Sequence, residues 1–286
     1  MSAARNPIKS PFQSGFTLIE LSIVLVIIGL IVGGVLVGQD LIRAAEVRAT
    51  IAQIEKYNTA VNTFRGKYNA LPGDLNSSTA TAFGFAARGT NPGEGDGNGV
   101  IEGYNGTTNI GQVQGGETLS FWVDLSVGNP ATPMNINLID GSYSAYLLPT
   151  TAAPAITAAN IGSYVPQAKL GRGNYVYVYS NGGMNYYGVA ALTTTATTGV
   201  VVATPTMSVQ QAYNMDKKMD DGFPTTGNVT ATAANLAVEN GPVATAAHTT
   251  NPAAATDCYD STATPNYGLS ANNGNGANCF LSFRFQ

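Results

Sequence analysis

Residues 15–38 read GFTLIELSIVLVIIGLIVGGVLVG, and Glu20 is the only charged residue among them. An apolar run of this length can cross a membrane as a helix. A carboxylate inside hydrocarbon costs roughly 2.5–3.5 kcal/mol, so a membrane helix that carries one normally has a partner for it. The sequence therefore predicts a membrane helix whose Glu20 pairs with a membrane-embedded cation.

The residues before the apolar run indicate the source of this cation. Residues 1–15 are polar, contain two basic residues and no acid, and end in Gly15. An ordinary secretory leader is cut after its apolar segment, whereas a cut after Gly15 would keep the apolar helix in the mature protein. That cut leaves an ammonium group on Phe16, and Glu20 of one subunit would then pair with the amino terminus of the next.

The hexapeptide from Gly15 to Glu20 closely resembles the class III signal of type IV pilins and of type II secretion pseudopilins. In that family a prepilin peptidase cuts after the glycine and methylates the new amino terminus, which here is Phe16. The resemblance implies processing at Gly15 and Phe16, assembly through Phe16 and Glu20, and polymerisation of identical subunits by an inner-membrane assembly machinery. It also implies a single-pass precursor in the inner membrane and then an extracellular pilus. The alternative is a simple signal anchor that tolerates an acid, but such an anchor does not need a glycine directly before Phe16.

A second apolar pattern follows the membrane run and has helical spacing. Its apolar residues recur every three or four positions while polar side chains fall on the other side, which is typical of an amphipathic helix with one face on a core. These apolar residues are Val47, Ile51, Ile54, Tyr57, Val61, Phe64 and Tyr68. The sequence predicts one helix over residues 16–66, about 75 Å long, with residues 16–38 in the membrane or filament axis and residues 39–66 amphipathic. Gly66 and the Leu71-Pro72-Gly73 turn are expected to end it.

Residues 67–286 are predicted to form one globular head rich in strands. Residues 174–180 and 184–192 are rich in Tyr and Val and flank an Asn-Gly-Gly turn, which indicates a hairpin. Residues 279–285 alternate apolar and polar side chains and are expected to form the last strand. Short helices are predicted near Glu117–Leu125 and Val209–Met219. The predicted fold class is therefore α+β and pilin-like, with a long N-terminal helix packed on an antiparallel sheet and large loop insertions.

Composition argues against several classes of function. Charged residues are 10% of the chain and the net charge is −4, which disfavours nucleic-acid binding because that needs a basic face. The one histidine, His248, lies in a segment rich in Ala and Thr and has no nucleophile motif around it. The sequence also lacks a phosphate loop and a Cys-x-x-Cys pair. We therefore expect a protein that is not an enzyme and that requires no cofactor.

The two cysteines, Cys258 and Cys279, lie near the C-terminus. An even number of cysteines in an exported chain predicts one disulfide, and two free thiols are the alternative. The segment between them is rich in Asn, Gly and Ala and has little capacity to order itself, so a crosslink contributing about 3 kcal/mol matters there. In pilins a C-terminal disulfide loop often forms an exposed edge for assembly or adhesion, and this pair resembles it.

Residues 94–102 read EGDGNGVIE, which matches the first part of an EF-hand calcium loop. The predicted ligands of a structural calcium ion are Glu94, Asp96, Asn98, Val100 through its backbone carbonyl, and Glu102. The slot for the final bidentate acid holds Asn105, so Glu102 or the more distant Glu117 would have to complete the shell. A glycine-rich loop that only turns the chain is the alternative.

A second acidic cluster lies at residues 216–221. It consists of Asp216, Asp220 and Asp221 beside Lys217 and Lys218. Because the cluster lies where a predicted helix ends, we interpret it as a helix end with local ion pairs.

The leading functional hypothesis is a structural subunit of a type IV pilus or a related filament. The second is a type II secretion pseudopilin, and the third is a membrane-anchored surface protein that does not polymerise. A large head with long polar loops favours an exposed pilin over a compact pseudopilin. The expected partners are other copies of the chain, the prepilin peptidase, the assembly machinery and the membrane.

Overall fold

The computed structural model divides the chain into two compact units, Met1–Ala44 and Ala45–Gln286. It describes residues 17–85, 88–89, 93–104, 109–110, 115–126, 136–144, 156–195, 201–233, 244–245, 257–260 and 262–285. The helices are α1 (Leu18–Tyr68), α2 (Ser77–Phe83), α3 (Glu117–Leu125) and α4 (Val209–Met219). The strands are β1 (Gly103–Tyr104), β2 (Asn109–Ile110), β3 (Ile156–Thr157), β4 (Asn174–Asn181), β5 (Met184–Thr195), β6 (Val201–Thr204), β7 (Val229–Thr230), β8 (Thr232–Ala233), β9 (Ala244–Thr245) and β10 (Leu281–Phe285).

Helix α1 carries two different surfaces along its length. Its first part exposes every large apolar side chain from Leu18 to Ile42, and an 18-residue window there, with mean hydropathy 2.9, is long and apolar enough to cross a membrane. From Val47 onward, buried residues recur every three or four positions through Tyr68, as the sequence predicts. The helix ends two residues later than expected, because Gly66 stays helical and the left-handed conformation that closes the last turn is taken by Asn69, with φ 54°.

The head is built on a six-stranded antiparallel sheet in which β5 is central. Strand β5 pairs with β4 on one side and with β10 on the other, and β10 also pairs with β7. The predicted hairpin is present, and both residues of its turn, Gly182 and Gly183, have positive φ, which is the conformation that a two-residue hairpin turn requires. The last strand begins at Leu281 instead of Cys279, because Cys279 forms an isolated bridge with Met207.

The core of the head forms where α1, α3 and the sheet meet. The ring of Tyr57 on α1 lies 5.0 Å from that of Trp122 on α3 and 6.1 Å from that of Tyr187 on β5. All residues of α3 are buried, including Glu117 and Asp124, and buried carboxylates are costly unless they are paired or hydrogen-bonded. The fold class is α+β, as predicted. Helix α3 places two acids, Glu117 and Asp124, in the interior of the head.

Candidate functional site

The N-terminus of α1 is stabilised by a reciprocal contact between Thr17 and Glu20. The backbone N–H and the hydroxyl of Thr17 both donate to Glu20 Oε2, each at 2.8 Å, and the Glu20 N–H donates to Thr17 Oγ1 at 3.3 Å. This is a capping box, which the Thr-x-x-Glu spacing would have indicated. Gly15 and Phe16, the predicted processing residues, lie outside the described residues. The predicted pairing of Glu20 with the Phe16 amino group of another subunit therefore has to coexist with a local cap.

The first part of α1 presents apolar side chains on all sides. Their exposed fractions run from 48% at Val24 to 87% at Leu18. Apolar surface left in water costs roughly 25 cal/mol per Å², and a continuous apolar surface of this kind marks an interaction with lipid or protein. The helix is therefore suited to spanning a membrane and to packing against other helices.

In the head, alternate glycines bend residues 93–99 around two buried carboxylates. The odd-numbered residues of this segment are all glycine and all have positive φ, between 78° and 100°, which costs glycine nothing. The Gly95 N–H donates to Glu117 Oε1 at 2.9 Å. The Gly97 and Gly99 N–H groups donate to Asp74 Oδ1 and Oδ2 at 2.7 and 2.8 Å. Converging N–H groups form a nest for an anion, and here the anions are the protein's own side chains.

Three further hydrogen bonds, two from Asn185 and one from Glu117, hold the end of this loop. Asn185 on β5 accepts a hydrogen bond from the Ile101 N–H at 2.7 Å and donates one to the Gly99 carbonyl at 2.9 Å. Oε2 of Glu117 accepts from the Glu102 N–H at 2.9 Å. The loop is thus held on α3 and on the sheet at the same time.

Asp74, Asp96 and Glu117 form a carboxylate cluster to which the loop itself contributes Asp96. One oxygen from each lies within 4.8 Å of the others, and Asp74 and Glu117 are buried whereas Asp96 is exposed. Burial raises the pKa of Asp74 to about 6, although the backbone N–H groups of Gly99, Gly97 and Asn98 oppose the shift. Burial, followed by repulsion from Asp74, raises the pKa of Glu117 well above its usual range. The three oxygens are close enough for a single cation to neutralise their repulsion.

Of the three acids in the predicted ligand set, only Asp96 belongs to this cluster, and Glu117, the alternative acid for completing the shell, is also a member. Glu94 is buried and is not a member of the group. Asn98 Oδ1 accepts from the Val100 N–H at 2.7 Å, and Asn98 Nδ2 lies 3.5 Å from Glu102 Oε2, so these side chains support the turn itself. The five-residue ligand set stays a prediction. The geometry brings two further acids close to Asp96, namely Asp74 and Glu117.

Sequence reasoning missed Asp74 and a buried ion pair between Arg88 and Asp124. The guanidinium Nη2 lies 2.7 and 2.6 Å from the two oxygens of Asp124, and Asp124 Oδ2 also accepts from the Gly73 N–H at 2.6 Å. The partners in these contacts are 36 and 51 residues apart in the sequence. No local spacing could have indicated them, because only the fold brings them together.

Comparison with known proteins identifies the N-terminal segment. Residues 11–36 match the family model described as the prokaryotic N-terminal methylation motif. The chain carries a class III prepilin signal. The match covers the predicted cut, Glu20 and much of the membrane helix, and it supports the type IV pilin and pseudopilin family and a membrane-anchored precursor. No curated protein and no solved structure matches the chain.

Near the C-terminus of the chain, Cys258 and Cys279 are joined by a disulfide, and their Cα atoms are 5.1 Å apart. The Cys258 carbonyl accepts from the Gly268 N–H at 2.9 Å, and the Cys279 N–H donates to the Met207 carbonyl at 3.1 Å. The first of these bonds lies within the disulfide loop, and the second attaches the loop to the rest of the head. His248 lies outside the described residues.

The second acidic cluster connects α4 to the disulfide loop. Asp216 on α4 is buried and accepts from the Tyr267 hydroxyl at 2.8 Å and from the Gly222 N–H at 3.1 Å. Burial raises the pKa of Asp216 to about 6, and the nearby carboxylates of Asp221 and Asp220 raise it further. The predicted local ion pairs are wrong, because neither neighbouring lysine pairs with an acid in the described part of the chain and the acids instead accept backbone and hydroxyl hydrogen bonds.

Proposed function

We propose that the chain is a structural subunit of a type IV pilus or a related filament. The observation that carries the proposal is the combination of a class III signal with a helix whose apolar side chains are exposed from Leu18 to Ile42. A prepilin peptidase would cut after Gly15 and methylate Phe16, and the retained helix would hold the precursor in the membrane. Transfer into a filament replaces lipid by neighbouring copies of the same helix.

Glu20, the only charged residue among residues 15–38, favours polymerisation over simple anchoring. Glu20 places one carboxylate in an apolar surface, and the new amino group on Phe16 supplies a cation that every copy carries. Each interface in a homopolymer repeats this pairing, whereas in an isolated anchor the carboxylate has its Thr17 hydrogen bonds but no cation from a neighbouring copy. The large polar head supports an exposed surface filament over a short secretion filament.

Imaging of surface filaments, followed by identification of their protein, tests this proposal. We expect filaments that contain the mature chain and that disappear when the gene is deleted. Intact filaments in the deletion strain, combined with lost protein secretion, would favour the pseudopilin. A chain found only in the membrane, with no effect on filaments or secretion, would make it a non-polymerising anchor.

We further propose that the head binds one structural calcium ion at the carboxylate cluster of Asp74, Asp96 and Glu117. The support is the proximity of three carboxylate oxygens in a loop that resembles a calcium loop. With the final bidentate acid of an EF-hand missing, the expected dissociation constant is on the order of 10⁻⁴ to 10⁻³ M, which suits an extracellular module.

Thermal unfolding of the full-length protein in detergent, with 5 mM calcium or with chelator, tests the calcium proposal. We expect calcium to raise the unfolding midpoint by mass action on the folded state, and Asp96→Ala to abolish the rise. Asp140→Ala removes an acid that is exposed in a different part of the head and is the matched control. Equal unfolding midpoints with and without calcium would mean that the loop binds no calcium and that its N–H groups serve only to bind Asp74 and Glu117.

A further inference from the structure

A mostly apolar groove of about 450 Å³ lies on the head, between residues 49–57 of α1 and residues 140–143 and 166–169. Gln53 on α1 fixes one side of the groove to the other. Its Nε2 donates to the Gln167 carbonyl at 2.9 Å, and its Oε1 accepts from the Lys169 N–H at 2.8 Å. The groove is therefore preformed in the folded head. Its apolar lining comes from Ala49, Ala52, Tyr57, Tyr143 and Pro166.

The rim of the groove carries more positive than negative charge. It contains Lys56 and Lys169 together with one acid, Asp140. Lys56 Nζ lies 2.6 Å from Asp140 Oδ2. Lys169 is exposed and takes part in neither of the two ion pairs formed among the described residues. An apolar groove with a free cation on its rim is complementary to an apolar side chain that has an acid beside it.

The loop that follows α4, residues 220–228, displays a side chain of this kind. Phe223 is 45% exposed, and Asp221, two residues earlier, is exposed as well. Beyond Ile42 the described residues contain one other large apolar side chain exposed to this extent, Phe83. The ring of Phe83 packs 5.0 Å from that of Tyr68. Phe223 is therefore the better candidate for a contact outside its own subunit.

Hydrogen bonds to aspartates hold this loop in place on both sides of the phenylalanine. Asp221 Oδ1 accepts from the Phe223 N–H at 2.8 Å, and Asp221 Oδ2 accepts from the Thr226 hydroxyl at 2.7 Å. Asp220 Oδ2 accepts from the Val229 N–H at 3.0 Å. A single exposed apolar side chain is common in proteins, but here three backbone or hydroxyl contacts fix its position. A loop that is already ordered loses little conformational entropy when it binds.

We propose that Phe223 of one copy inserts into this groove of the next copy, with Asp221 beside Lys169. The inference rests on the proposed filament, which brings the second copy next to the first. The groove and the loop share no residue, so one copy can use its loop with one neighbour and its groove with another. A heterologous contact of this kind generates an open helical filament when its rotation does not close. It adds a contact between heads to the contacts between apolar helices.

Crosslinking between two variants, each with one added cysteine, tests the contact. Ala52→Cys places a thiol in the groove, and Thr225→Cys places one on the loop while keeping Phe223; both positions are exposed. Cells that produce both variants are treated with a short bismaleimide crosslinker, which does not react with the native disulfide. We expect a crosslinked dimer from the mixture and at least about fivefold less from either variant alone, because the contact joins two different surfaces.

The outcomes separate this contact from the proposed function. Filaments that contain both variants but give no mixed dimer would overturn the contact and leave the pilus proposal standing. A mixed dimer in the membranes of cells that make no filaments would support the contact and contradict the pilus proposal. Equal crosslinking in the mixture and in either variant alone would overturn the contact, because it would indicate symmetric pairing or random collision.

Substitutions in the two surfaces, each with a matched control, locate the contact. Phe223→Ala, combined with Thr225→Cys, should lower the yield of mixed dimer about tenfold, whereas Phe83→Ala, at the other exposed phenylalanine, should not. Lys169→Glu should lower the yield about threefold. Lys67→Glu, at an exposed lysine of α1 outside the groove, should leave it unchanged. An unchanged yield for Phe223→Ala would overturn the assignment.

Discussion

The two parts of α1 share one backbone conformation and have opposite surroundings. From Leu21 to Val37 the helix has no charged residue and carries apolar side chains on every side, and Ile31 and Val35 are 60% and 52% exposed. After Ala45 the apolar residues follow helical spacing, and Ile54 and Phe64 are fully buried. Apolar content alone therefore does not tell whether a helix is buried in its own subunit, whereas spacing does. An all-round apolar helix requires a partner outside its own subunit.

The glycines of the molecule show the same contrast. A Cβ added at Gly29, Gly33 or Gly38 would meet nothing within 4 Å, whereas one added at Gly73 in the head would meet the Glu117 carbonyl oxygen within 2.4 Å. The subunit itself needs glycine at position 73 and does not need it at the three helix positions. Small residues four apart allow close approach between helices in lipid, so these glycines are suited to contacts with other helices.

Glu20→Ala gives the largest expected effect and acts only on the first part of α1. Filament yield should fall more than about tenfold, because loss of the pairing with Phe16 removes more than 1.4 kcal/mol per interface. Membrane insertion should be unchanged or improved. Electron microscopy of surface filaments and membrane fractionation measure the two effects. Glu55→Ala, an exposed acid in the second part of α1, is the control, and an equal loss of filaments in both variants would remove the special role of Glu20.

Phe64→Ala should act only on the second part of α1. Removal of a fully buried phenylalanine should lower the free energy of unfolding of the head by about 3–5 kcal/mol. The single tryptophan, Trp122, is buried in that core and reports unfolding by fluorescence during denaturant titration. Leu25→Ala removes an exposed apolar side chain in the first part of α1. It should change the free energy of unfolding of the head by less than about 0.5 kcal/mol. Similar losses in both variants would contradict the division of α1.

Asp216→Asn should change how the stability of the head depends on pH. The folded pKa of Asp216 is about 6, above the unfolded value near 3.9, so the folded state binds the proton more tightly. The corresponding stability is present below pH 4 and is lost as the pH rises to 6, by at most about 3 kcal/mol. The variant does not titrate and keeps an acceptor for the Tyr267 hydroxyl, so its stability should vary less over this range. Identical pH profiles for both proteins would show that Asp216 is not the titrating group.

Gly33→Ala has the smallest expected effect on the subunit. Alanine should stabilise the helix by up to about 1 kcal/mol without changing the unfolding of the head, while filament yield falls because the helices can no longer approach closely. Gly66→Ala is the control, because it also has open space around it but lies in the second part of α1. Normal filament yield for Gly33→Ala would mean that assembly does not use this close approach.

The parts of the fold that could be predicted are those specified by nearby residues. The spacing of apolar residues indicated the second part of α1, short helices were predicted at α3 and α4, and an Asn-Gly-Gly turn indicated the β4–β5 hairpin. Helix α2 was missed, because it is a single short segment whose main signal is Asn76 capping Thr79. The buried pair of Arg88 and Asp124 was also missed, because its partners meet only after α3 packs inside the head.

The acidic loop shows the same limit within the candidate site. Its alternating glycines were recognised and related to calcium binding, and Glu117 was recognised as a distant acid. The role of Asp74 could not be predicted, because its carboxylate reaches the loop across 23 residues of sequence. The alternating glycines direct N–H groups at the carboxylates of Asp74 and Glu117. Only the three-dimensional structure shows these contacts.

The most direct test of the account is the mass of the mature N-terminus in protein isolated from surface filaments. In the proposed filament the first part of α1 is retained, and the new amino group on Phe16 pairs with Glu20 of a neighbouring copy. We therefore expect a chain that begins with N-methylated Phe16 and contains the whole of α1. An intact leader, or a chain that begins after Gly38, would contradict it.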